Sequence, residues 1–413
     1  MAKIANQPSQ NVNILCIASF FKGEEFMRSA KEEGCTVYLV TSSQLRDADW
    51  PRQSLDDIFF VNDIGGEKGH WNMDEVIAGM AWVLRSRKID RIVSLDDFDV
   101  EKGTALREHF RIAGMGQTTG RYFRDKLAMR MRAQEAGIRV PAFSPLFNDA
   151  QINDYLDTVA APWLIKPRSE ASATGIKKAH NKEEAWAILN VLGEKRHNYL
   201  IEQFRPGDVY HADGLSLDRK TVFCSVSRYL STPMEVAHGG GVFRSVILEH
   251  GSDDDKKLQV MTDDVMKAFG MNYSASHTEF IKDRATGEFV FLETSCRVGG
   301  ANLAEMVEAG TGINLWREWA RIEAAEVRGE KYTLPKARKD YAGIVVSLCR
   351  FQDPDTSSFT DPEIVWRMKK EYHVGLIVQS KKSDRILSLL DNYTHRIANE
   401  MHAAMPVQER PSS

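Results

Sequence analysis

Apolar residues over the first 115 positions come in short runs separated by amphipathic stretches. NILCIAS and TVYLVTS are rich in Val, Ile and Leu and too short for helices, which predicts buried strands. Between them, FKGEEFMRSAKEEG spaces its apolar residues as a helix does and closes on Gly34. DIFFVND predicts a third strand, MDEVIAGMAWVLRSRK a helix, IDRIVSLDD a fourth strand and VEKGTALREHFRIAG another helix. Strand–helix alternation of this kind predicts an α/β unit with a parallel sheet covered by helices on both faces. Ligands of such sheets bind beyond the carboxyl ends of the strands. That rule directs attention to Ser19–Phe20–Phe21 and to Asp96, Asp97 and Asp99. The three aspartates suit a substrate ammonium group or, equally, the cap of the next helix.

The pattern changes after GMGQTTG. A helix is expected from about Tyr122 to Gly137. Short strands then alternate with two helices: PAFSPLF, APWLIKP, GIKKAH and NYLIEQF, with helices around Ile152 and Trp186. A meander of longer strands follows (DVYHADGLS, KTVFCSVSRYL, GVFRSVILEH), then a helix, a hairpin and two more helices. EKYTLPKARKD reads as a linker to a small α+β unit containing YAGIVVSLCRF, VGLIVQS and a helix from Ser383 to about His402. The tail PVQERPSS is expected to be disordered. Three units result: residues 1–115, residues 116–330 with a lid at about 140–205, and residues 331–413.

Composition narrows the class. With 413 residues, 43% hydrophobic and 27% charged, the chain has the make-up of a soluble globular protein. A net charge of −4 gives no reason to expect nucleic acid or an anionic membrane as partner. No apolar run approaches the ~20 residues of a membrane helix. Five scattered cysteines without a CxxC fit a reducing cytoplasm. The histidines form no HExxH, so a zinc site is not expected. The first strand is followed by SFFKGEE rather than GxGxxG, which disfavours a dinucleotide fold.

The segment HTEFIKDRATGEFVFLETSCRVGG carries the chemistry. Symmetry about Thr286 sets Glu279 opposite Glu293 and Ile281 opposite Phe291, with Glu293 and Ser295 on one face. Opposed carboxylates repel across a ladder. A divalent cation between them reverses that, since Mg²⁺ takes one or two carboxylates and completes its shell with phosphate and water. Solvent-facing charges on an exposed edge are the other reading of the same residues. Arg297 follows, suited to bidentate contact with phosphate or carboxylate. Gly299 and Gly300 precede a helix whose N-terminus favours anions.

These residues resemble the ATP-grasp superfamily. There an acidic residue on one strand and Glu-x-Asn-x-Arg on the next hold magnesium and phosphates. The matches are Glu279, Glu293, Ser295 in place of the Asn, and Arg297. The resemblance continues upstream in the expected order. It implies that Lys126 and Lys166 contact phosphate and that RSEASATGI, with Ser172 and Gly175, is a loop over the phosphates. It also implies that Glu202 accepts from the adenine amino group, that the backbone of Gln203 and Phe204 reads the base edge, and that Asp208 holds the ribose. Taken alone, Lys126 reads as a surface lysine and RSEASATGI as a plain turn. Arg228 is a candidate for the acceptor or γ-phosphate side, and His238 and Arg244 of AHGGGVFRS for the substrate side, with a flexible turn as the alternative. Cys296 reads as packing.

The resemblance, spanning roughly 115–330, implies an N-terminal parallel-sheet domain before an ATP-grasp fold of two α+β subdomains. The cofactors would be ATP and one or two Mg²⁺, or Mn²⁺. The implied activity is ligation of a small-molecule carboxylate to an amine through an acylphosphate. Biotin-carboxylase-like carboxylation and a non-catalytic ATP-binding module are the alternatives. The substrate pair is not legible, and a homodimer is left open.

Overall fold

A computed structural model gives the structure; it describes residues 11–170 and 174–403, without the side chains of residues 237–239. Ser172, the His238 side chain and the PVQERPSS tail therefore lie outside the described residues.

The N-terminal unit contains β1 (Asn13–Ala18), α1 (Glu24–Glu32), β2 (Thr36–Ser42), β3 (Asp57–Val61), α2 (Met73–Val83), β4 (Arg91–Ser94) and α3 (Val100–Phe110). The four strands pair in parallel in the order β3-β2-β1-β4. Period-two alternation divides β1 between two cores. Leu15 and Ile17 pack with Val76, Met80 and Leu106 on the side of α2 and α3. Ile14, Cys16 and Ala18 pack on the other side with Phe26 of α1 and with Trp316 and Trp319 from much later in the chain.

Two helices lead onward, α4 (Gln117–Arg121) and α5 (Lys126–Glu135). The single helix expected from Tyr122 begins instead at Lys126. The reason is local: the Asp125 carboxylate accepts from the backbone N–H groups of Leu127 and Ala128, an N-cap that sets the start.

The lid consists of β5 (Phe143–Pro145), α6 (Asp149–Thr158), β6 (Trp163–Pro167), β7 (Lys177–Ala179), α7 (Lys182–Leu192) and β8 (Tyr199–Gln203). Its strands form an antiparallel sheet, β5-β8-β6-β7, over a core of its own around Ile152, Leu156, Ile165 and Leu189.

The remaining elements are β9 (Gly207–Leu217), β10 (Lys220–Tyr229), α8 (Pro233–Gly239), β11 (Phe243–Ile247), α9 (Asp253–Phe269), β12 (Ser274–Asp283), β13 (Phe289–Ser295), α10 (Leu303–Thr311), α11 (Leu315–Arg328), β14 (Tyr341–Leu348), β15 (Ile364–Arg367), β16 (His373–Ser380) and α12 (Ser383–Glu400). All eight strands join one antiparallel sheet in the order β13-β12-β9-β10-β11-β14-β16-β15. The last three strands, which the sequence pattern sets apart after residue 331, continue this sheet, because β14 pairs with β11 from Phe243↔Val346 to Val246↔Gly343. One face of the sheet packs Val209, Tyr229, Ile281 and Ile344 toward α10. The opposite face packs Tyr210, Phe280 and Phe291 with Leu258 and Phe269 of α9.

Candidate active site

A cleft of about 690 Å³ opens between the lid and the central sheet. Its walls include Lys126, Lys166, Glu202, Gln203, Phe204, Glu279, Glu293, Ser295 and Arg297, so residues spread over more than 170 positions converge.

The hairpin β12–β13 pairs Glu279 with Glu293 directly. Beyond them the symmetric register fails. Phe280 faces Phe291 and Ile281 faces Val290, so Leu292 is an extra residue, a β-bulge, and the expected Ile281–Phe291 pair does not form. The carbonyl of Leu292 is taken by the guanidinium of Arg130, which is fully buried and also binds Glu202 through Nε at 3.0 Å. Arg130 thus ties α5, the lid strand β8 and the bulge together. No sequence pattern singled it out.

Each glutamate is half engaged. Glu279 Oε1 accepts from the Tyr229 hydroxyl at 2.8 Å, and Glu293 Oε2 meets the Lys126 ammonium at 2.8 Å. Among the described residues no partner holds Glu279 Oε2 or Glu293 Oε1. Burial would raise the Glu293 carboxyl, but Lys126, Lys166 and Arg130 outweigh it and hold it at about 2. Two ionised carboxylates opposed across a ladder, each with an oxygen to spare, fit a hard divalent cation.

The lysines are placed by their strands and caps. Lys126, the first residue of α5, also donates to the Glu170 carbonyl at 2.6 Å. Lys166 is the penultimate residue of β6, is 7% exposed, and lies 2.5 Å from Glu202 Oε1. Burial lowers its ammonium to about 8, with Glu202 opposing. Glu202 is therefore first the counter-ion of Lys166 and Arg130, a role beyond the adenine contact expected of it. Gln203 and Phe204 line the cleft, but their backbone N–H groups donate to the Ala142 and Pro162 carbonyls. A donor for a base edge does not come from these two groups.

Several expected contacts are moved by strand parity. Tyr229 points into the cleft, so its neighbour Arg228 faces the other side of the sheet, in register with Tyr210. Val209 likewise faces the cleft, and Asp208 is exposed outside it. Phe243 lines the cleft while Arg244 reaches Asp391 of α12 at 2.8 Å. Gly175 takes a positive φ of 70° beside Pro167; its neighbours Thr174 and Ile176 form the wall. Cys296 is buried in the α9 core, as its parity requires.

Among the described residues the N-terminal unit contributes one wall residue, Asp97, just beyond the carboxyl end of β4. Ser295 donates its hydroxyl to Asp97 Oδ1, and Arg297 binds Oδ2 through Nε at 2.9 Å and through Nη2. Burial would raise the Asp97 carboxyl, but Arg297 holds it well below the usual range. Arg297, expected to reach phosphate, is thus forked onto an aspartate, and Ser295 is not free for a metal. Asp96 instead caps Phe98 and pairs with Lys22 at 2.8 Å, while Asp99 accepts from the Ser19 N–H.

Behind Glu279 runs a buried polar chain that the sequence did not reveal. Asp213 accepts from His211 Nδ1 at 2.7 Å and lies 2.8 Å from His277 Nδ1; His211 Nε2 is 2.7 Å from Ser245 Oγ. Burial would lower His277, but Asp213 and Glu279 raise it to about 9. Its Nε2 lies 3.5 Å from Glu279 Oε1. His277 is two residues before Glu279 and shares its face; that spacing was the available signal. Gly299 closes over this chain. A Cβ there would stand 2.7 Å from Asp213 Oδ1 and 3.0 Å from His277 Nδ1.

A lid sheet above an antiparallel central sheet, two lysines, and opposed glutamates followed by an arginine give this chain the fold seen in ATP-grasp carboxylate–amine ligases. No family model matches it. It is 26% identical over 304 residues to the L-arginine-specific L-amino acid ligase of Bacillus subtilis, an alignment covering 72% of this chain and 71% of that enzyme. The L-amino acid ligase of Bacillus licheniformis superposes with a TM-score of 0.74 at 15% identity, over 96% of this chain and 99% of the other. The biotin carboxylase domain of the Hydrogenobacter thermophilus 2-oxoglutarate carboxylase, solved with MgADP and bicarbonate, gives 0.69 at 15% identity, over 94% and 90%.

Proposed function

We propose that this enzyme binds ATP in the cleft and uses it to join a small carboxylate, of the amino-acid class, to an amine. The observation that carries the reading is the register pair Glu279–Glu293, with one oxygen on each uncommitted among the described residues, in a cleft that also holds Lys126, Lys166 and Arg297. Mg²⁺ held there would neutralise phosphate charge and orient the γ-phosphoryl group. Lys126 and Lys166 offer positive charge to the phosphates, and Phe204 and Leu292 offer apolar walls to the base. In the first step a carboxylate oxygen attacks the γ-phosphorus and the bond to ADP breaks. In the second, the amine nitrogen attacks the acyl carbon, phosphate leaves, and the amine gives up a proton. Positioning and electrostatics supply most of the catalysis in phosphoryl transfer. The amino-acid class is suggested by the Bacillus subtilis relative. No helix among the described residues is long and apolar enough to cross a membrane. The five free cysteines fit the reducing cytoplasm.

The test is incubation with Mg-ATP and pools of amino acids and other carboxylic acids, following phosphate and condensed product. ADP, phosphate and an amide are expected. Glu293→Gln should abolish turnover, a loss of at least about a thousandfold, with the circular dichroism unchanged. Full activity in that variant, or phosphate release only with bicarbonate and biotin, would overturn the reading.

A further inference from the structure

Position 295 stands where the superfamily pattern has an asparagine beside the metal glutamate. Here it is a serine, whose oxygen sits one bond closer to the backbone than an asparagine amide oxygen. Its hydroxyl is already given to Asp97 Oδ1, and Ser295 and Asp97 are 7% and 8% exposed. Asp97 in turn is filled on its other oxygen by the Arg297 fork. A second cation on this side would meet a guanidinium and no uncommitted carboxylate oxygen. On the hairpin itself, Tyr229 occupies one oxygen of Glu279 and Lys126 one of Glu293, leaving one oxygen on each without a partner among the described residues. Two single oxygens suit one shared octahedral ion and leave a second with too few protein ligands.

We propose that this site holds one divalent cation per nucleotide, between Glu279 and Glu293, and that the Asp97–Arg297 pair occupies the place of a second. The proposal rests on the ATP-site reading above. Arg297 is held in that place by Asp97, and the pair fills it without a net charge. Asp97 is its positioning residue, contributed by the N-terminal unit. Nucleotide loading and seating of that unit against β13 are thereby coupled through one ion pair.

The full chain, with ADP at equimolar concentration, is titrated with Mn²⁺ and the free ion followed by electron paramagnetic resonance. One tight equivalent per bound ADP is expected. Two equivalents of similar affinity would overturn the single-ion proposal and leave the ATP site standing. Absence of ADP-dependent Mn²⁺ binding would overturn both. The double variant Ser295→Asn/Arg297→Met, which removes the guanidinium, frees Asp97 Oδ2 and restores an amide oxygen, should gain a second equivalent. If it folds, by circular dichroism, and still binds one, the Asp97–Arg297 pair is not what excludes the second ion and that part of the proposal fails.

Discussion

Lys166 shows how one residue can serve two demands. Under the proposed function it meets phosphate in a dry cleft, yet burial disfavours its charge. Glu202 offsets part of the cost at 2.5 Å, and the ammonium still falls to about 8. A cation with a lowered pKa loses its charge as pH rises through that value. Since kcat/KM reports the free enzyme, kcat/KM for ATP should be level below pH 8 and then fall with rising pH, by up to about tenfold per unit. Lys166→Met should lower kcat/KM throughout and abolish that descending limb. A limb that persists in the variant would assign it to another group. Tyr229 offers a second check on the carboxylates proposed to hold the metal. Tyr229→Phe removes the donor on Glu279 Oε1 and should raise the Mg²⁺ concentration for half-maximal activity by roughly tenfold, the scale of one charge-assisted hydrogen bond.

Among the elements, the turn between β13 and α10 leaves little room for a side chain. Gly299 passes so close to Asp213 and His277 that a methyl group cannot enter without moving them. Gly299→Ala should cost about 1–3 kcal/mol in urea unfolding. Gly300→Ala, where nothing lies within 4 Å of a Cβ, should stay within about 0.5 kcal/mol of the parent. Equal losses at both positions would show that the tightness lies in the backbone turn and not in the contact. The hairpin before this turn was partly legible in the sequence. A turn centred at Thr286 predicts the glutamate pair, but the turn is centred between Ala285 and Thr286, and it is the bulge at Leu292 that brings Glu279 opposite Glu293. A bulge is stabilised by what receives its carbonyl, here Arg130 from another helix, and no local pattern encodes that partner.

At the scale of the molecule, the N-terminal sheet does not finish its own core. Trp319 of α11 is 2% exposed, packs against Phe26 of α1 with ring centroids 5.1 Å apart, and shares a core with Ile14, Leu215 and Val298. The N-terminal and central sheets should therefore melt together in calorimetry as one transition. Trp319→Ala should lower stability by about 3–5 kcal/mol without splitting that transition, and a separate early peak for the N-terminal unit would contradict the shared core. The sequence by itself determined most of the elements, the parallel unit followed by further strands, and a hairpin carrying a glutamate on each strand. These follow from side-chain periods of two and 3.6, which every residue carries with it. Only the tertiary structure decided which face of each strand looks into the cleft, turning Arg228, Asp208 and Arg244 away and Tyr229, Val209 and Phe243 inward. Only it decided that β14 would extend the central sheet, and that Asp97 would take Arg297 from 200 residues away. Such pairings depend on how separate sheets pack, and the spacing of residues along one strand or helix carries no record of that.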